Sequence, residues 1–211
     1  YTTPALTETT FYRALVTSGV CTDIASNTVE ITVNTPPVIT ECPALPVTTN
    51  TDPGVCNAVV NYTVTASGSP APDYSYEFSG ATVAAGSGTG SGFAFNKGTT
   101  NVTVTATNSC GSETCEFTIE VIDDEAPTIS NCPANITLNT GVANPVCSRT
   151  ATWTAPTASD NCSGVTLTSS HSSGDVFSVG TTTVTYTATD ASGNTSTCTF
   201  TVTINDNTPP V

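Results

Sequence analysis

Nine cysteines and a few clustered carboxylates are the residues of this 211-residue chain whose chemistry stands out. The cysteines are Cys21, Cys42, Cys56, Cys110, Cys115, Cys132, Cys147, Cys162 and Cys198. None forms a Cys-x-x-Cys pair, and one histidine cannot complete a usual zinc set. They are expected to be disulfides formed in an oxidising compartment. Carboxylates gather at Asp123-Asp124-Glu125 and again at Asp206. Acids interspersed with Asn and backbone carbonyls are the ligands that calcium takes. His171 lies among Ser169, Ser170, Ser172 and Ser173, where an imidazole beside a hydroxyl would suggest an activated nucleophile. A lone histidine in a polar stretch is read as inert. The Gly86–Gly92 run has the spacing of neither a phosphate loop nor a helix start and is read as a flexible turn. No catalytic residue and no cofactor besides calcium is expected.

The formal net charge is −14, with Lys97, Arg13 and Arg149 as the positive residues. Phosphate backbones need Lys and Arg to neutralise them, so nucleic acid is excluded as a partner. An anionic membrane surface would repel the chain, and direct membrane insertion is not expected.

The elements that must position these residues read as strands. Val102, Val104 and Ala106 alternate with Thr103 and Thr105. Cys115, Phe117, Ile119 and Val121 share one face, as do Cys198, Phe200, Val202 and Ile204. Period-two patterning means one buried face and one wet face. Trp153 is read as a core residue, and Tyr74, Tyr76 and Phe78 as strand core in preference to an exposed patch. The pattern recurs along the chain. Glu41-Cys42-Pro43-Ala44 returns as Asn131-Cys132-Pro133-Ala134, and Phe95-Asn96-Lys97-Gly98-Thr99-Thr100 as Phe177-Ser178-Val179-Gly180-Thr181-Thr182. The repeat predicts an all-β chain of tandem immunoglobulin-like, Greek-key β-sandwiches in a linear array. Expected divisions are residues 1–35, the last strands of a truncated immunoglobulin-like domain; 36–124, a first full sandwich; 125–206, a second; and 207–211, a linker. The chain is read as a fragment of a longer array.

Residues 126–206 resemble the hyalin repeat. The resemblance rests on Cys132-Pro133, Asp160-Asn161-Cys162, Phe177-x-x-Gly180-Thr181-Thr182, Tyr186 through Asn194 and Cys198-x-Phe200. Residues 37–122 match the same pattern less fully, with Ala71-Pro72-Asp73 near the place of the Asp-Asn-Cys loop. The first 35 residues are similar to the end of bacterial immunoglobulin-like surface repeats. The combination is similar to giant repeat proteins of Bacteroidota surfaces, including adhesins of gliding bacteria. These resemblances imply an extracellular, secreted or cell-surface, non-enzymatic protein.

In a sandwich the closing strand runs beside the opening one, which makes Cys42–Cys115 and Cys132–Cys198 the expected staples. Elimination then leaves Cys56–Cys110 and Cys147–Cys162, although sequence alone leaves connectivity open. Cys21 is expected to pair outside these residues. The acidic junctions around Asp123 and Asp206 resemble those of calcium-stiffened cell-surface arrays such as cadherins. In that topology Asp160, Asp190 and Asn194 are expected to converge on Asp123 and Asp124 as a calcium site. The same residues are good turn formers, and that reading stands beside it. At Asn34-Thr35-Pro36-Pro37 the carboxylates are missing and no strong site is expected. The function expected is a structural or adhesive stalk segment, partnered by neighbouring repeats and by surface glycan or protein ligands. The alternatives are a specific binding module, an accessory region of a secreted enzyme and a filament subunit.

Overall fold

The structure is a computed structural model that describes residues 5–20, 23–44, 46–141 and 147–207. Every regular element among them is a β-strand. The chain forms two compact units. One comprises Tyr1–Val47, Val60–Phe93 and Thr99–Ile119; the other comprises Thr48–Val59, Ala94–Gly98 and Glu120–Val211. The second unit thus holds the whole second repeat and also the residues where the first repeat's last strand leaves its sheet. We call that part of a repeat its tail end, and the part where the chain comes in its head end.

The two repeats share a connectivity. In the first, one sheet runs in the order Ala84–Ser87, Asp73–Gly80, Gly98–Asn108, Gly111–Ile122, Val47–Asn50. Facing strands pair as Thr35–Glu41 with Thr65–Ser69 and as Asn57–Val60 with Phe93–Asn96. In the second repeat the sheet runs Ile136–Asn139, Thr195–Asn205, Gly180–Thr189, Thr166–Ser169, and the facing pairs are Thr128–Ser130 with Thr157–Ser159 and Ser148–Thr150 with Val176–Ser178. Within that sheet Ile136–Asn139 lies parallel to the repeat's last strand, Ile136 opposite Val202, while the long hairpin is antiparallel, Val184 opposite Phe200. This is the immunoglobulin-like arrangement expected from the strand patterning.

The alternation delivers the cores. In the first unit Phe78, Val102, Val104, Ala106, Cys115, Phe117 and Ile119 are buried, and Tyr62 meets Phe117 edge-on at 4.8 Å. In the second, Ala151, Phe177, Val184, Tyr186, Cys198, Phe200, Val202 and Ile204 form one cluster, with Trp153 packed against it. Trp153 lies edge-on to Phe200 at 5.1 Å and donates its indole N–H to the Tyr186 hydroxyl at 2.7 Å. The half-buried indole thus joins ring packing against the core to a satisfied polar handle. Tyr74 and Tyr76 are half-buried on the same strand face as Phe78, and Tyr76 stacks on Phe78 at 4.6 Å.

The glycine run behaves differently from a free turn. A Cβ on Gly90 would come within 2.5 Å of Phe78 Cζ, and one on Gly86 within 2.8 Å of the Tyr76 hydroxyl oxygen. The run is therefore a lid that lies directly on aromatic rings. The first residues form a hairpin ladder, Thr10–Tyr12 with Val29–Ile31 and Leu15–Val16 with Ile24–Ala25. Its Phe11, Leu15, Val16, Ile24 and Val29 are exposed.

Candidate functional site at the repeat junction

At the tail end of the first repeat, the Thr51 N–H donates to Ile122 O at 2.8 Å and the Lys97 N–H to Cys56 O at 3.1 Å. These two ties bring Cys56 and Lys97 alongside the chain as it passes into Asp123. At the head end of the second repeat, Asp190 organises a turn. Its Oδ1 accepts the N–H groups of Ser192 at 2.9 Å and Asn194 at 2.7 Å, and its Oδ2 accepts the Asn194 side-chain amide at 2.9 Å. Burial works against ionisation of Asp190. The hydrogen bonds from the Asn194 side chain and from the backbone of Asn194, Ser192 and Gly193 outweigh it and hold the carboxyl below its ordinary range.

The turn then reaches Asp123. Ser192 Oγ donates to Asp123 Oδ2 at 3.2 Å, and Asn194 Nδ2 donates to the Asp123 carbonyl at 3.0 Å. The Asp123 side chain is fully buried, and its charge is met by the Lys97 ammonium at 3.3 Å. Sequence reasoning missed Lys97. Its signal was present, since it occupies a position of the Phe-x-x-Gly turn where the second repeat has Val179.

Of the five residues expected to converge, the structure gathers Asp123, Asp160 and Asn194. Carboxylate oxygens of Asp123 and Asp160 lie within 4.8 Å of one another and of Cys162 Sγ. That sulfur is in a disulfide and offers no thiolate. Asp160 Oδ1 accepts the Cys162 N–H at 3.0 Å, while its Oδ2 and Asn161 Oδ1 are buried with no hydrogen-bond partner. Asp124 turns away from the cluster to accept the Asn50 side-chain amide, and Glu125 accepts the Gly54 N–H at 2.9 Å. Asp190 spends both oxygens on its own turn. The turn-forming reading therefore describes Asp190, and the amide of Asn194 faces the cluster as a donor. Asp123 and Asp160 are thus the expected residues whose carboxylate oxygens come together, and the buried, unpaired Oδ1 of Asn161, which was not among the expected five, lies next to Asp160 in the chain.

The disulfides require a correction. Cys42 bonds Cys115 and Cys132 bonds Cys198, as the strand adjacency implied. The pairs Cys56–Cys110 and Cys147–Cys162 are not formed. Cys56 bonds Cys162 instead, with Cα atoms 4.8 Å apart, and Cys110 and Cys147 are exposed thiols. The reason is spatial. Cys56 sits at a tail end, and Cys110 follows Asn108 in the turn at a head end, beside Ser69 O. The loop bearing Cys162 reaches the first repeat's tail, where Asn161 Nδ2 also donates to Val55 O at 3.0 Å. Cys21 lies outside the described residues.

His171 sits at a core edge. Its Nδ1 faces Ser170 Oγ at 3.1 Å and its ring packs on Phe177 at 5.3 Å. Among the described residues no helix is long and apolar enough to cross a membrane.

Residues 122–204 match the HYR domain family, and residues 1–35 match a domain of unknown function, DUF8696. Among solved structures, the chain is similar to the I-band fragment of titin at 13% identity and TM-score 0.47, covering 93% of this chain and 75% of that one. It is similar to Sidekick-1 immunoglobulin domains 1–5 at 11% identity and TM-score 0.39, covering 97% and 47%. Human Protocadherin-24 EC1-2 matches at 14% identity and TM-score 0.33, covering 82% and 100%.

Proposed function

We propose that the chain is a structural or adhesive spacer in a secreted or cell-surface repeat protein, and that its task at this point is to fix one repeat against the next. The observation that carries this reading is the Cys56–Cys162 bond, which joins residues of two successive repeats. The Lys97–Asp123 pair, whose carboxylate is buried, and the Ser192 and Asn194 contacts to Asp123 surround it. A covalent tie wrapped in buried polar contacts suits a holding role. The HYR match over the second repeat and the shared connectivity of the two support reading residues 36–124 as a second module of that class. Three disulfides among the described residues support an extracellular setting. Glycan or protein ligands would meet the spacer's surface, and its immediate partners are neighbouring repeats.

Calcium enters this reading as a second contributor at the same place. Asp123, Asp160 and the Asn161 side-chain oxygen are the groups that would hold it. It would neutralise the Asp160 charge, which Lys97 does not serve.

Small-angle scattering on the oxidised chain and on the Cys56→Ser/Cys162→Ser variant tests the reading. We expect a narrow distribution of dimensions for the former and a broadened one for the latter. Identical broad distributions would show that the tie holds nothing.

A further inference from the structure

The two exposed thiols among the described residues occupy positions that, elsewhere in this same chain, face the adjoining repeat. Cys147 is the second repeat's counterpart of Cys56. Each immediately precedes the strand that pairs with the Phe-containing strand, Ser148–Thr150 with Val176–Ser178 and Asn57–Val60 with Phe93–Asn96. Each carbonyl accepts the N–H two residues beyond that Phe, Val179 to Cys147 at 3.0 Å and Lys97 to Cys56 at 3.1 Å. Each repeat also closes its tail in the same way, with Thr140 N–H on Asn205 O as Thr51 N–H is on Ile122 O. The internal repeat thus provides the comparison: at this position Cys56 is bonded to the head end of the following module.

Cys110 has a counterpart at the other end. Asn108 Oδ1 accepts the Cys110 N–H at 2.8 Å, as Asp190 Oδ1 accepts the Ser192 N–H at 2.9 Å. Cys110 therefore holds the turn position of Ser192, and Ser192 Oγ contacts Asp123 of the preceding repeat's exit segment. Cys110 Sγ also lies 4.0 Å from Ser69 O. Ser69 pairs with Thr35 as Ser159 pairs with Thr128, so it marks the start of the loop that carries Cys162 in the second repeat.

We infer that Cys147 and Cys110 are linkage sites of a disulfide ladder. Cys147 bonds a head-end cysteine of the β-sandwich module that follows, and Cys110 bonds a tail-end cysteine of the module that precedes. Each bond forms by thiol–disulfide exchange. Two thiols lose two protons and two electrons, and an oxidant of the disulfide class is reduced to its dithiol. The inference rests on the junction reading above and extends it from one joint to a rule for successive joints.

The test uses the protein as secreted by its own source. Free thiols are capped with N-ethylmaleimide before denaturation, and the protein is digested without reduction for mass spectrometry. The expected result is a Cys147 peptide and a Cys110 peptide each linked to a cysteine of another module, with neither capped. Maleimide on both, with Cys56–Cys162 intact, overturns the ladder while sparing the junction reading. Absence of the Cys56–Cys162 peptide overturns both. A Cys147–Cys110 bond between two copies, seen as a mixed isotope pair from co-expressed labelled and unlabelled chains, also overturns it, since the partner would then be a second chain.

Discussion

Asp123 shows what a single side chain can demand of a fold. A fully buried carboxylate is tolerated when its charge is met and its oxygens are hydrogen-bonded, and Lys97, Ser192 and the Glu125 N–H supply this. Lys97→Gln would leave a buried charge without its cation. Because Lys97 is itself partly exposed, we expect a loss of about 1–3 kcal/mol in urea unfolding, below the full cost of breaking a buried pair. The same change removes a positive charge from beside Asp123, so under the calcium proposal titration by calorimetry should show tighter binding in Lys97→Gln than in the parent. Asp190 makes a separate pH prediction. Its folded carboxyl is held low, so its contribution is present above the ordinary carboxylate value of about 4 and drains as pH falls through the lowered folded value. The melting-temperature gap between the parent and Asp190→Asn should be widest near neutrality and close below that window. Sequence placed Asp190 at a junction, but whether its oxygens face a cation or their own turn depends on loop geometry that residue types do not encode.

At the scale of elements, the strands were legible because alternation is a local property. Val102, Val104 and Ala106 on one hairpin arm, and Cys198, Phe200, Val202 and Ile204 on another, are buried in the pattern their spacing dictates. The Gly86–Gly92 run was not legible, because a glycine chosen for a turn and one chosen for close packing look the same in sequence. The structure separates them. Gly88 and Gly90 both have positive φ, +86° and +77°, but a Cβ on Gly88 meets nothing within 4 Å whereas one on Gly90 meets Phe78, Tyr62 and Tyr76. Gly88→Ala should cost about 1 kcal/mol for backbone conformation alone. Gly90→Ala should cost about 2–4 kcal/mol, because overpacking adds to the same backbone term. Chemical denaturation of the two variants side by side measures the difference. Equal losses would mean that the lid does not rest on the rings.

For the whole molecule, the disulfide pattern was the least legible feature. Each repeat carries four cysteines, Cys42, Cys56, Cys110 and Cys115 in one and Cys132, Cys147, Cys162 and Cys198 in the other, and an even count invites closure within a repeat. The structure closes each repeat once and uses Cys56 and Cys162 between them. This connectivity predicts separable mechanical roles for the bonds. Cys42–Cys115 and Cys132–Cys198 bridge 73 and 66 residues of chain, so a pull on the termini crosses each repeat through sulfur and leaves those loops unextended. Cys56–Cys162 lies on neither shortcut, because the shortest covalent path runs from Cys115 to Cys132 through residues 116–131. In single-molecule stretching, reduction should lengthen the fully extended chain by about 260 Å for the first loop and about 240 Å for the second, at about 3.6 Å per residue. Cys56→Ser/Cys162→Ser, stretched without reductant, should reach the same final length as the parent while yielding at lower force early in the trace, where the joint opens. A longer final length in that variant would place Cys56–Cys162 on the load path and refute this division between bonds that limit extension and a bond that fixes the joint.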